Sequence, residues 1–218
     1  MAIDNEGTVK KHEQSLTDMF KELGSHPVPK HARNYMYCFG GITFLLFLIQ
    51  VITGILLAIY YKPTPELAYE SVIFIEQQVW MGAAIRSIHN VAANLMVITV
   101  LLHMFRVIYT GSYKPPRHMN WIIGVCLLII VFAFCFTGYL LPWDQLGYWA
   151  AVIGTKIMGS IPWLGEKLLL LSQAGSKVTG YTLIRFYALH IVVLPVIAIV
   201  SMVIHFLMIR KQGISGGL

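Results

Sequence analysis

The sequence predicts an all-α integral membrane protein, a four-helix bundle, on three observations. Of its 218 residues 57% are hydrophobic and 12% charged, with a mean hydropathy of +0.68, far from the roughly half apolar, quarter charged mixture of soluble domains. Four windows, 34–61, 87–105, 118–143 and 186–209, lack Asp, Glu, Lys and Arg, and each is long enough to cross most or all of roughly 30 Å of hydrocarbon. Four of the eight histidines, His89, His103, His190 and His205, fall at matched spacings inside the second and fourth windows.

The helices are expected at about 34–61, 83–108, 118–140 and 182–210, within a membrane domain of residues 34–218 that follows an N-terminal segment of residues 1–33. That segment carries five acids among five bases and no apolar core stretch, so no signal peptide is expected and the first span serves as the insertion signal. Within it, "SLTDMFKEL" places Leu16, Met19, Phe20 and Leu23 at helical spacing, an amphipathic helix suited to a membrane surface or to a soluble partner. Cys38, Cys126 and Cys135 all fall in spans, which argues against an extracellular disulfide framework. The pI of 9.2 is no nucleic-acid signal, because the bases flank the spans instead of forming a patch.

Four crossings put the N-terminus, the second loop and the C-terminus on one side with ten Lys/Arg and five acids, and the other two loops opposite with six and five. The positive-inside rule makes the first the cytoplasmic or n side and the second the p side. "KPTPE" at 62–66 ends the first helix and begins a short p-side excursion. The third connection is longer, about forty residues from Leu141 to Tyr181. In it Leu146, Ala150, Ile153 and Ile157 recur at helical spacing, and "WLGEKLLLL" follows Pro162, so two short surface helices are expected. Structured loops of this length usually have a function. No solenoid repeat and no low-complexity segment is present.

His12, His26, His31 and His118 lie in polar segments, where solvation explains them. His89 and His103 are fourteen residues apart on the second span, His190 and His205 fifteen apart on the fourth. Fourteen residues turn a helix by about four turns less 40°, and fifteen by about four turns plus 60°, with rises of roughly 21 to 23 Å. Both helices run from p to n, so His89 is level with His190 and His103 with His205. Two neutral imidazoles facing one another are a ligand set for a low-spin haem, and two b haems stacked across the membrane fit all four positions. Hydrogen bonds between helices or a proton relay would also use intramembrane histidines; matched spacing on parallel helices favours haem.

Arg86 and Arg185 stand at the p-side rim and Arg106 at the n-side rim, where propionates would find bidentate partners, although arginines at span ends also snorkel. Gly40 and Gly54 on the first span, and Gly124 and Gly138 on the third, repeat the fourteen-residue period. Glycine lets a flat macrocycle approach the backbone, while small residues are common at any membrane helix contact.

The motifs "YCFGGITF", "GAAIRSIHN", "LLHMFRVIYTGSYKPPR", "FTGYLLPWDQLGYWA", "TLIRFYALH" and "HFLMIRKQGISG" resemble the cytochrome b family in its short, split b6 form. The likeness covers nearly all of residues 30–218, and the fifteen-residue His190 to His205 gap matches that form. The resemblance implies that His89 and His190 hold the low-potential p-side haem, that His103 and His205 hold the high-potential n-side haem, and that Arg86, Arg106 and Arg117 hold propionates. It implies a third, covalent haem c on Cys38 without a C-x-x-C-H motif; read by itself Cys38 is a thiol near the n-side end of a span, where a structural cysteine is usual.

The resemblance further implies a redox loop: quinol oxidised near the p side, one electron leaving to a Rieske iron-sulfur protein, the other crossing to reduce quinone on the n side. Pro142, Trp143 and Asp144 would wall the quinol pocket, and Arg210 with Lys211 would face the extra haem and quinone or simply anchor the helix. The expected partners are a subunit IV-like protein that completes the quinol site, the Rieske protein, a c-type cytochrome, quinol and quinone, lipid, and a second copy of the complex. The chain would be inactive alone, in a bacterial cytoplasmic membrane or a thylakoid-like equivalent. Asn90, "RHMNW" at 117–121 and the terminal "GGL" depart from plant forms, as does the N-terminal stretch, which points to a bacterial or archaeal-like source. A di-haem anchor of a dehydrogenase or hydrogenase, and a proton-coupled transporter, are the competing readings.

Overall fold

A computed structural model of the protein describes Asp18 and residues 35–214. The expected amphipathic helix at 15–23, apart from Asp18, lies outside the described residues, as do His12, His26, His31 and the terminal "GGL".

After a 3₁₀ turn at Tyr35–Tyr37, α1 spans Phe39–Ala58, α2 Ala68–Gln78, α3 Gly82–Tyr109, α4 His118–Leu140, α5 Gln145–Gly159, α6 Gly165–Gln173 and α7 Gly180–Gln212. Helices α1, α3, α4 and α7 are each long and apolar enough to cross a membrane, and no strand occurs among the described residues. Large apolar side chains cover their outer faces: Ile52 and Phe105 are each 61% exposed, as lipid-facing residues must be where lipid replaces water.

Prolines and caps set the ends. Pro63 and Pro65 follow α1, Pro115 and Pro116 precede α4, and Pro142 follows it. Asp144 starts α5 by accepting a 2.7 Å bond from the Gly147 amide, a carboxylate N-cap. Thr179 and Thr182 form a capping box at the start of α7.

Two features depart from the sequence reading, a helix in the p-side excursion and a π turn in α7. The p-side excursion contains a helix, α2, whose Ala68, Ser71, Val72 and Ile75 are buried at i, i+3, i+4 and i+7 spacing. It abuts α3 so closely that a Cβ on Gly82 would lie 1.9 Å from the Ile75 carbonyl oxygen. The expected surface helix α5 turns Leu146, Ile153 and Ile157 outward, with Leu146 and Ile157 68% and 64% exposed, while Gly147, Ala151 and Thr155 face the protein and Ala150 is half-buried. A surface helix at a bilayer does this: its apolar stripe meets lipid and its small residues meet protein. Finally, α7 opens into a π-helical turn at Leu189–Val193. Pro195 follows it and has no N–H for the Ile191 carbonyl, and the wider turn relieves the clash that an α-helical proline makes with that carbonyl.

The core lies at two depths. Leu46, Phe47, Ala92, Met96 and Ala198, with Phe134 and Met202, fill the bundle centre. Leu140, Ala151 and Phe186, with Trp143 and Phe136, pack under the p-side helices.

Candidate functional site

The π turn carries His190 and corrects its direction. Fifteen residues of pure α-helix would leave His190 about 60° past the line of His205, whereas a π turn takes up one extra residue. His190 of α7 and His89 of α3 face one another with ring centroids 6.4 Å apart. A metal–imidazole bond of roughly 2 Å on each side of one metal, plus about 1 Å from nitrogen to ring centre, gives a separation of about 6 Å, so the pair fits a shared iron.

Both rings are oriented by threonine. Thr53 of α1 donates its only hydroxyl hydrogen to the Ile49 carbonyl at 2.6 Å, and its oxygen lies 2.8 Å from His89 Nδ1. Thr137 of α4 donates to the Ala133 carbonyl at 2.8 Å and lies 2.9 Å from His190 Nδ1. With each hydroxyl hydrogen committed, each histidine must donate from Nδ1, which leaves an acceptor lone pair on Nε2. Gln50 adds a 2.7 Å bond from Nε2 to the His89 carbonyl. Sequence reading missed Thr53, Thr137 and Gln50; the available signal was an uncharged polar residue inside a span, with Thr53 directly before Gly54 and Thr137 directly before Gly138.

The four glycines pair one to one with the four histidines. A Cβ on Gly138 would lie 2.7 Å from His190 Cε1, on Gly40 3.1 Å from His103 Cε1, on Gly54 3.3 Å from His89 Cε1 and on Gly124 3.6 Å from His205 Cε1. The shared period therefore marks helix positions that face a ring.

At the n side, His103, His205, Gly40, Gly124, Arg106 and Arg117 line a cavity of about 350 Å³. Arg106 is 7% exposed and stacks 3.7 Å over the Tyr37 ring, yet its Nε and Nη2 have no hydrogen-bond partner. Arg117 donates from Nη2 to the Gln212 carbonyl at 3.1 Å, and its Nε is likewise buried and unpartnered. Unsatisfied guanidinium nitrogens are costly in an apolar wall, so the donor set suits an acidic group bound in the cavity. Two imidazoles lining one cavity, glycine cradles and orphaned arginine donors together fit a haem with its carboxylates.

The other expected site residues are arranged differently. Arg86 is at the p-side rim and pairs with Glu76 of α2. Arg185 donates to the carbonyls of Leu170 and Leu171 at the end of α6. Cys38 is exposed at the N-cap of α1, between the cavity-lining Tyr37 and Gly40. Arg210 is half-buried in the last turn of α7, while Ile209 and Gln212 of that turn line the cavity. Pro142, Trp143 and Asp144 form the bend into α5, with Trp143 at φ 52° and its ring edge-on to Tyr148 at 5.7 Å.

The cytochrome b/b6/petB family model matches residues 23–213. A cytochrome b6 of Heliobacterium mobile is 53% identical over 195 residues, covering 89% of this chain and 92% of that relative. One of Auxenochlorella protothecoides is 49% identical over 205 residues, covering 94% of each. A solved chain of a hyperthermophilic respiratory Complex III superposes with a TM-score of 0.85 at 33% identity, over 92% of this chain. This chain spans about half, 54%, of that longer one. Four spans, two histidine pairs backed by glycine, and a family match over most of the length place the chain in the cytochrome b/b6 family.

Proposed function

We propose that this protein is the di-haem cytochrome b subunit of a membrane quinol oxidoreductase complex. In that complex it carries electrons across the membrane between quinol oxidation on the p side and quinone reduction on the n side, coupled to proton translocation. The observation that carries the reading is the one-to-one pairing of each spanning histidine with a glycine on a neighbouring helix, at two levels. Family membership supports it. A dehydrogenase anchor would share four helices and histidines but not this match.

His89 and His190 would hold the p-side haem b, and His103 and His205 the n-side haem b, each through Nε2. When bound, each haem supplies a one-electron couple. The chain's own work is to hold the rings, to keep water out of the bundle centre with Leu46, Phe47, Ala92 and Met96, and to pair the n-side carboxylates with Arg106 and Arg117. Arg86 and Arg185 would serve the p-side carboxylates from the rim. Cys38 would hold a haem c by a single thioether, and Arg210 would border that haem and a quinone. Pro142, Trp143 and Asp144 wall the quinol pocket. A subunit IV-like chain, a Rieske protein, a c-type cytochrome and a second copy of the complex complete the assembly.

The test is a reduced-minus-oxidised spectrum of the purified complex with identification of its subunits. Two b haems per chain with a Rieske protein are expected; no b-type absorbance, or a soluble dehydrogenase in place of the Rieske protein, contradicts the proposal.

A further inference from the structure

The two levels share histidines and glycines but differ one residue before each glycine. On the p side those residues are Thr53 and Thr137, and on the n side they are Phe39 and Ile123. The p-side hydroxyls are buried, with Thr53 7% and Thr137 4% exposed, and each accepts from a histidine Nδ1 at 2.8 and 2.9 Å. Among the described residues no hydroxyl takes the equivalent place at the n side. His205 Nδ1 is buried and faces the Asn120 backbone without a hydrogen bond of ordinary geometry. Among the described residues no hydroxyl bonds to His103.

We propose that Thr53 and Thr137 are positioning residues that set the electronic difference between the two levels, lowering the reduction potential of the p-side haem relative to the n-side one. The inference rests on the haem ligation proposed above. A hydroxyl that donates to a backbone carbonyl is polarised and becomes a better acceptor. Accepting the Nδ1–H, it draws that proton outward and raises the basicity of Nε2, as acceptors behind metal-bound histidines do. A more basic ligand favours the ferric over the ferrous state, which differ by one electron, and the potential falls. Both p-side ligands carry such a bond, so the effects add on one iron. Arg106 and Arg117 act in the same direction by favouring the reduced form at the n side, but the threonines reach the p-side level alone. The resulting gradient drives electrons from p to n.

The experiment is a redox titration of the b haems in the purified complex, for the parent and for Thr53→Val, Thr137→Val and the double variant. Thr53→Ser and Thr137→Ser serve as conservative replacements that keep the hydroxyl. Valine keeps the threonine shape and removes the acceptor, so both haems are expected to remain. The lower-potential component should shift upward in each single variant and further in the double, with the higher-potential component unmoved, and serine should restore the parent value. An altered low-temperature electron paramagnetic resonance signal for that component alone should accompany the shift. An unmoved lower component, or equal movement of both, overturns the inference while leaving the ligation intact. A parent complex without two b components would overturn the ligation itself. If the valine variants lose the p-side haem, the serine variants decide: a parent-like potential with serine supports the hydroxyl's role, and a shifted potential despite the retained hydroxyl refutes it.

Discussion

A Cβ built on Gly138 would stand 2.7 Å from Cε1 of His190, closer than side chains approach. The neighbour is a ring fixed by the 2.9 Å Thr137 bond, so it has little room to retreat. The other three glycines are looser, at 3.1 Å for Gly40, 3.3 Å for Gly54 and 3.6 Å for Gly124. Alanine substitutions should therefore be graded. Gly138→Ala should cost most, about 1–3 kcal/mol of overpacking, and lower p-side haem content, while Gly124→Ala should retain parent haem content. Haem-to-protein ratios across the four variants check the order, and equal losses at Gly124 and Gly138 would contradict it.

The π turn at Leu189–Val193 accommodates a residue that a regular helix would not need. Deleting Val192 should close the turn into α-helix, restore a fourteen-residue His190 to His205 interval and retain both b haems. Inserting an alanine at the same point should swing His190 off line by about 100° and remove the p-side haem. Difference spectra of the two variants check this; loss of haem from the deletion alone would show that the turn has another role.

Arg106 offers two buried, unpartnered nitrogens to the n-side cavity. Charge-assisted bonds contribute about 1.5–3 kcal/mol, so Arg106→Gln should release the n-side haem about tenfold faster or more, with the p-side haem unaffected. Release to an apo-haem acceptor, followed optically, measures it.

Cys38 lies exposed beside the cavity-lining Tyr37 and Gly40. Haem staining after denaturation should give a signal on this chain in the parent and none in Cys38→Ala, with b absorbance retained in both. A parent chain without covalent stain would remove haem c from the account.

The spans and the histidine pairs were legible because hydrocarbon imposes long uncharged runs and because a helix converts sequence spacing into a shared face. The glycine period was legible as well, although its physical meaning became specific only when each glycine met a histidine ring. Three things were not. Thr53 and Thr137 looked like ordinary small polar residues, since a span tolerates any hydroxyl that bonds back to its own helix. The π turn leaves no mark beyond Pro195 and an odd spacing. At the p-side rim, Arg86 could be placed from sequence but its Glu76 partner on α2 could not, because that contact depends on how the two helices meet.

The most direct test of the central claim is the number of b haems held per chain, with one histidine of each pair removed in turn. The purified parent complex should hold two low-spin b haems per chain, His89→Leu should remove the p-side one alone, and His103→Leu the n-side one alone. A parent holding fewer than two b haems, or either substitution leaving both in place, would contradict the account.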